Sequence, residues 1–349
     1  MFFGYPAAAV VDNWFHDALT AILHSVHQAV AGGGQPSAWP DIIPVAHRPA
    51  LRRRTGIRDR LAAYQAAFTA LNAQERALVH DALSDQNKIA ELLDGRLDCL
   101  TIDELPEGIR GPARLLFEFA FELLVDLKIR DAHYERIDAA LDDKICPFCG
   151  INGFDAPGGK REDYDHYLPE SEYAFAGCNL WNLVPMCKKC NSLYKLATDP
   201  LWDGNRRRRA VNPYATTGFT LDITASVPFA GSKPNLPRWQ IAFVPRAEEA
   251  ETWDQIFSLR ERLQRDVFDR HYTAWTKEFA SWCITAPRQV ATAADVLPAL
   301  AGYENYLRRI GRQDRAFFKL ALCKLHQTLC AGGNARVANV LLIAVRYYT

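Results

Sequence analysis

Two Cys-x-x-Cys pairs constrain the fold of this chain more than any other feature. Cys146 and Cys149 form the first pair, and Cys187 and Cys190 form the second. A two-residue spacer lets one tight turn direct two thiolates at the same ion, and a structural Zn²⁺ takes four such ligands at tetrahedral corners. The four cysteines therefore predict a zinc module, whose metal would contribute about 10 kcal/mol to its folding.

The alternatives are cysteines that pair by coincidence and a thioredoxin-like redox site. Neither is favoured, because two pairs fall within one short segment and no βαβ pattern surrounds them. Residues 150–186 separate the pairs, a longer gap than the roughly 15–20 residues of a plain zinc ribbon. Further structure is therefore expected between the pairs, and Cys178, which lies in this gap, is predicted to be a bystander.

Composition narrows the class of protein. The chain has 349 residues, 49% of them apolar, so it can bury a sizeable core. Its 41 Lys and Arg balance 41 Asp and Glu, which excludes binding to nucleic acid by bulk charge alone and leaves room for a local basic patch. Nine cysteines, an odd number, and an early segment unlike a secretory signal predict a reducing cytoplasm and no membrane association.

The hydrophobic pattern divides the chain into three regions. Residues 1–143 and the later part of 201–349 show helical spacing of apolar residues, whereas 144–200 contains the cysteine pairs and loses that spacing. Alternating side chains after residue 210 predict two or three strands. Within the first region, Glu75 to Leu93 and Pro112 to Leu141 each read as a helical pattern. No internal repeat is evident.

Residues between the pairs carry the chemistry that phosphodiester hydrolysis requires. Asp165 offers a carboxylate and Asn191 an amide oxygen to Mg²⁺ or Mn²⁺, while His166 offers an imidazole that can take a proton from water. Asn182 could fix either the loop or the imidazole. Adjacent strand residues point to opposite faces, so Asp165 and His166 serve one site only if the strand ends or kinks between them.

In its order of motifs, this segment resembles the HNH nuclease family in its zinc-bound form. The order is Cys-x-x-Cys, Asp-His-x-x-Pro, Asn-Leu-Val-Pro and Cys-x-x-Cys-Asn, from about Lys144 to Leu196. The resemblance implies a ββα-metal fold, in which a two-stranded hairpin packs on one helix. It also implies His166 as the general base, Asn182 as the central Asn, and a third position occupied by Asn191 in place of the family's His.

The expected fold class is thus α+β: a mostly helical protein with an embedded ββα-metal module and a small β segment after it. The resemblance implies that Asp165 and Asn191 hold the catalytic metal, and that cleavage leaves 5′-phosphate and 3′-hydroxyl ends. Asp163 is either a second carboxylate near the metal or simply exposed. Asn179 is the less favoured choice for the central Asn.

Basic residues follow the second cysteine pair and predict contact with phosphates of DNA. They are Lys188, Lys189, Lys195, Arg206, Arg207, Arg208 and Arg209. The alternative for such a run is a solvated loop. Three further candidates, His16, His24 and His27, lie on one predicted helix without a cysteine or carboxylate at ligand spacing, so they are predicted to be ordinary helix residues.

The function expected from the sequence is a DNA endonuclease, with a weaker likeness to HNH effectors of bacterial anti-phage or restriction systems. Such an effector would work with a partner protein such as an ATPase or sensor, or as a homo-oligomer. The alternatives are a zinc-stabilised DNA-binding or scaffold protein without activity, an RNase, and a toxin nuclease with an immunity partner. A toxin is disfavoured by the neutral charge and the absence of secretion features.

Overall fold

A computed structural model describes residues 1–158, 164–215, 218–285 and 290–348 of the protein. It confirms the predicted fold class: helices dominate, and small two-stranded sheets lie in the middle of the chain near a four-cysteine cluster. Contacts divide the chain into two compact units. The first consists mainly of Phe3–Phe148 and Gly153–Thr217, and the second mainly of Gly218–Thr349. Asp163 lies outside the described residues.

The first unit contains seven α-helices and four short strands among its described residues. The helices are α1 (Trp14–Ala31), α2 (Arg48–Leu51), α3 (Thr55–Ala70), α4 (Ala73–Asp85), α5 (Ile89–Leu93), α6 (Glu107–Asp126) and α7 (Ile129–Ala140). The strands are β1 (Tyr164–His166), β2 (Leu183–Pro185), β3 (Trp202–Asp203) and β4 (Arg206–Arg207). A π-helical segment, Cys190–Lys195, follows β2. The strands pair antiparallel as β1 with β2 and β3 with β4.

The second unit begins with a hairpin and continues as helices. Its strands are β5 (Thr220–Asp222) and β6 (Ala242–Val244), which pair antiparallel. Its helices are α8 (Glu248–Phe257), α9 (Leu259–Arg262), α10 (Asp269–Thr285), α11 (Ala293–Ile310), α12 (Ala316–Ala331) and α13 (Ala335–Tyr348). Apolar side chains from α10 to α13 form one buried core, which includes Phe279, Leu300 and Leu341. This arrangement agrees with the helical spacing in the sequence.

Two predicted helical patterns are broken in the structure. The pattern from Glu75 to Leu93 is split into α4 and α5 at Lys88, whose ψ of 57° lies outside the helical region. Just before this break, the buried Gln86 side chain donates to Leu100 O at 2.8 Å and accepts from Phe175 N at 3.0 Å. The pattern from Pro112 to Leu141 is split into α6 and α7 at Lys128, whose φ of 60° is left-handed and ends a helix. Within the described ranges, every helix is too short or too polar to traverse a lipid bilayer.

Helix α4 has a well-formed amino terminus. The Asn72 side chain accepts a hydrogen bond from Glu75 N at 3.0 Å, and the Glu75 carboxylate accepts one from Asn72 N at 2.9 Å. This capping box satisfies two backbone N–H groups that would otherwise lack partners in the first turn. The helix packs against α1, and three of the four histidines on this pair are considered below.

Candidate functional site

The β1–β2 hairpin brings the predicted catalytic residues next to the second cysteine pair. Asp165 is opposite Val184 and His166 is opposite Leu183. Strand β2 is anchored from outside, because Tyr214 Oη donates to Leu183 O at 2.6 Å and Tyr5 Oη donates to Pro185 O. The strands have only three residues each, too few to be stable without such support.

The four predicted zinc ligands lie together. The sulfur atoms of Cys146, Cys149, Cys187 and Cys190 are all within 4.8 Å of one another, and all four residues are buried. Gly150 follows the first pair with φ of +64°, as a tight turn around an ion requires. Ile151 N donates to Cys149 Sγ at 3.4 Å. The cluster has the ligand number and softness of a structural zinc site.

Asn182 fixes the loop after β1, which decides between the two roles left open by the sequence. Its side-chain oxygen accepts a hydrogen bond from Leu168 N at 2.7 Å, and its amide nitrogen donates to Leu168 O at 3.0 Å and to Ala176 O at 3.4 Å. Asn182 is fully buried. Its described contacts are with backbone atoms, so it positions the chain on the carboxyl side of His166.

The His166 imidazole is held by a backbone carbonyl. Its Nε2 lies 2.8 Å from Gly177 O, and because a carbonyl oxygen only accepts, Nε2 carries the proton and donates it. The other nitrogen, Nδ1, then has the lone pair. Burial lowers the pKa of His166 to about 4; nearby Lys195 and Arg130 also lower it, and the Gly177 hydrogen bond opposes them. The imidazole is therefore neutral near pH 7 and able to accept a proton.

Asp165 is buried against a lysine. Lys195 Nζ lies 3.2 Å from Asp165 Oδ2 and donates to His166 O at 3.1 Å, so one ammonium ties β1 to the π-helical segment. Burial raises the pKa of Asp165 to about 6, and Lys195 offsets part of that rise. Although Lys195 is at ion-pair distance, Asp165 Oδ2 accepts no well-aligned hydrogen bond among the described residues.

Asp165 and His166 have different partners, as strand alternation predicts. The carboxylate faces Lys195, whereas the imidazole faces Gly177 O and Glu170, whose Oε2 is 3.6 Å from Nε2. Strand β1 ends at His166. No described contact joins the half-buried Asn191 side chain to Asp165. The structure thus places the predicted catalytic residues on adjoining elements without joining the three side chains in one contact.

The basic residues predicted to contact DNA differ in how deeply they are buried. Lys188, Lys189, Arg206 and Arg209 are exposed, Arg207 is half-buried, and Lys195 and Arg208 are buried. Arg208 donates to Pro200 O and Asp199 O at 3.2 and 2.6 Å, and Arg207 donates to Asp98 Oδ1 at 2.6 Å. Lys195 and Arg208 are therefore internal cations with no surface left for a phosphate, because their charge is used within the protein. Contact with DNA remains a prediction for the exposed residues only.

Sequence reasoning missed two features near His166. Lys195 was expected to contact DNA, and its pairing with Asp165 depends on the π-helical turn, which the sequence does not signal. Glu170, four residues after His166, is the second feature: burial, with Glu118 and Glu122 nearby, raises its pKa to about 7. The four-residue spacing of His166 and Glu170 would suggest two neighbouring side chains on one helix, yet this segment is not helical.

Comparisons with protein-family models, with curated proteins and with solved structures find no match for this chain.

Proposed function

We propose that the chain is a metal-dependent endonuclease with an HNH-type module at residues 144–200. His166 carries the proposal: a neutral imidazole with its proton fixed on Nε2 by Gly177 O, on a hairpin strand next to a buried carboxylate. A general base needs an available lone pair and a fixed orientation. The Gly177 hydrogen bond supplies the orientation and leaves the lone pair on Nδ1, through which His166 would act.

The catalytic cation would be held by Asp165 and Asn191. Carboxylate and amide oxygens suit Mg²⁺ or Mn²⁺, and the buried Oδ2 of Asp165 lacks a well-aligned hydrogen bond within the described part of the chain. When bound, such an ion would neutralise charge on the scissile phosphate and on the leaving 3′ oxygen. The Lys195 ammonium already pairs with Asp165, so in this proposal the two cations share or compete for the carboxylate.

DNA is the proposed substrate. Lys188 and Lys189, which are exposed between the second pair of cysteines, and the exposed Arg206 and Arg209 offer positive charge for backbone phosphates. Contacts of this kind are insensitive to base sequence. RNA presents the same phosphates, and an RNase is therefore the nearest competing proposal.

Cleavage of plasmid DNA tests the proposal. The purified chain is incubated with supercoiled plasmid in Mg²⁺, Mn²⁺ or a chelator, beside His166→Ala and a control, His47→Ala, which changes a half-buried histidine outside the module. We expect metal-dependent cutting that His166→Ala loses, by at least about 100-fold for removal of a general base, and His47→Ala keeps. Equal cutting by His166→Ala would exclude His166 as the base.

A folded, zinc-loaded chain that binds DNA and does not cut it would favour two other proposals. One is a non-catalytic DNA-binding or scaffold protein, and the other is an effector that needs a partner such as an ATPase or sensor. A structured RNA added to the same assay tests for an RNase, which would cut the RNA and leave the plasmid intact.

A further inference from the structure

Three histidines from two packed helices converge in the first unit. His24 and His27 lie three residues apart on α1, hence on one face, and His80 lies on α4, which packs against α1. One ring nitrogen from each lies within 4.8 Å of the other two. The sequence prediction that His24 and His27 are ordinary helix residues considered α1 alone, and the third member is 53 positions from His27.

The spacing of the nitrogens matches a metal polyhedron. His27 Nδ1 and His80 Nδ1 are 3.3 Å apart. Two nitrogens bound to a tetrahedral Zn²⁺ at about 2.0–2.1 Å are separated by about 3.3 Å. A shared proton would also fit that distance, but it would satisfy one pair of imidazoles only, and the third ring, His24, has its centroid 5.2 Å from that of His80.

A buried tyrosine fixes the ring of His27. Tyr64 Oη lies 2.9 Å from His27 Nε2. If Nε2 donates to this oxygen, Nδ1 has its lone pair directed toward His80, which is how a partner on one ring nitrogen prepares the other to bind a metal. Phe68 stacks on the same ring with centroids 3.9 Å apart and planes 9° from parallel, which limits its rotation.

Two of these imidazoles open onto a cavity. His27 and His80 line a space of about 340 Å³, together with Phe68, Arg76 and Asp81. Three protein ligands around an ion leave a fourth position for water or a small ligand, and this cavity is large enough to supply one. We infer that His24, His27 and His80 form a second metal site, separate from the cysteine cluster, which binds a divalent transition ion such as Zn²⁺ and keeps one position open. Imidazole ligands suit Zn²⁺, Cu²⁺ and Ni²⁺.

Metal stoichiometry tests the inference in the full-length chain. The chain is loaded with Zn²⁺, passed over a desalting column, and analysed for zinc. We expect His80→Ala to hold one Zn²⁺ per chain fewer than the parent and the control His47→Ala, a difference that does not depend on any zinc at Asp165 and Asn191. One Zn²⁺ in the parent, or equal zinc in the parent and His80→Ala, would overturn the site. His80 is half-buried on a helix surface, and circular dichroism verifies that the variant folds.

Cobalt distinguishes the two sites by their ligands. We expect Co²⁺, added to the chain with only the cysteine site zinc-loaded, to give visible absorption without a thiolate charge-transfer band. Binding should be weakened about 100-fold or more by His24→Ala, and about 10–100-fold by Tyr64→Phe, the change expected when a partner of a ligand is lost. A Co²⁺ affinity unchanged by His24→Ala, or a spectrum with thiolate bands, would contradict the assignment.

Discussion

Two regions bring together side chains that can bind metal: the β1–β2 hairpin with the four cysteines beside it, and the α1–α4 helix pair. The two regions are stabilised in different ways. Around the hairpin, strands of three residues depend on single side chains, including the four cysteines, Asn182 and Lys195. Helices α1 and α4 have 18 and 13 residues with their own backbone hydrogen bonds, and they bury apolar residues such as Leu19 and Val79. We therefore expect a bound metal to be part of the fold around the hairpin and an addition to the fold in the helix pair.

The largest expected effect on stability comes from removing one thiolate of the four-cysteine cluster. Cys187→Ser should lose the bound zinc and unfold residues 144–200, since a structural zinc contributes about 10 kcal/mol. Zinc analysis and thermal unfolding measure the two losses. Cys330→Ser, which changes a half-buried thiol on α12, is the matched control and should keep its zinc. A Cys187→Ser chain with full zinc would contradict the four-cysteine site, and would also remove the contrast between the two regions.

The next largest effect is expected at the buried ion pair. Lys195→Met leaves the Asp165 carboxylate without its cation and should lower the free energy of unfolding by about 3–5 kcal/mol. Denaturant titration measures the loss. The double variant Asp165→Asn with Lys195→Met should regain part of it, because no uncompensated charge remains. Lys189→Met, which removes an exposed charge close by in sequence, should change stability by about 0.5 kcal/mol or less.

If Lys195→Met proves no more harmful than Lys189→Met, Lys195 does not hold β1 to the π-helical segment. The hairpin would then depend on its metal more than on its polar contacts.

Smaller losses of stability are expected at two asparagines of the same module, and the two should differ from each other. Asn182→Ala leaves the N–H and C=O of Leu168 without their side-chain partner and should cost about 2–4 kcal/mol. Asn191→Ala removes a half-buried side chain for which no hydrogen bond is described and should cost about 0.5 kcal/mol. Under the proposed function, Asn191→Ala nevertheless reduces cleavage. Equal destabilisation by the two substitutions would show that both are structural.

The two regions also differ in how much the sequence could predict. The cysteine cluster was predictable because each pair is local: Cys146 and Cys149 share one turn, and their partners repeat the spacing. The helices were predictable from apolar spacing, apart from the breaks at Lys88 and Lys128, where the backbone leaves the helical angles. Asn182 could be singled out in the sequence, while its choice of Leu168 as partner required the fold.

The histidine cluster could not be predicted, because no local pattern connects His80 to α1. His24 and His27 alone look like helix residues, and only the packing of α4 completes the set. The same reason explains Lys195, which reads as a surface charge until the π-helical turn directs it to Asp165. For His80 and Lys195, local spacing gives no sign of the partner that decides their role.

The smallest effect is expected at the helix that carries His80. Asn72→Ala removes half of the capping box of α4 and should lower the free energy of unfolding by about 1 kcal/mol. Gln74→Ala, an exposed change in the same turn, should have no effect or a slightly favourable one, since alanine favours helix. His80 lies two turns beyond the cap, so fraying of the first turn should leave the zinc content per chain equal to that of the parent. Loss of the second zinc in Asn72→Ala would mean that the site depends on the whole of α4, and that the helix pair, like the hairpin, links its metal to its fold.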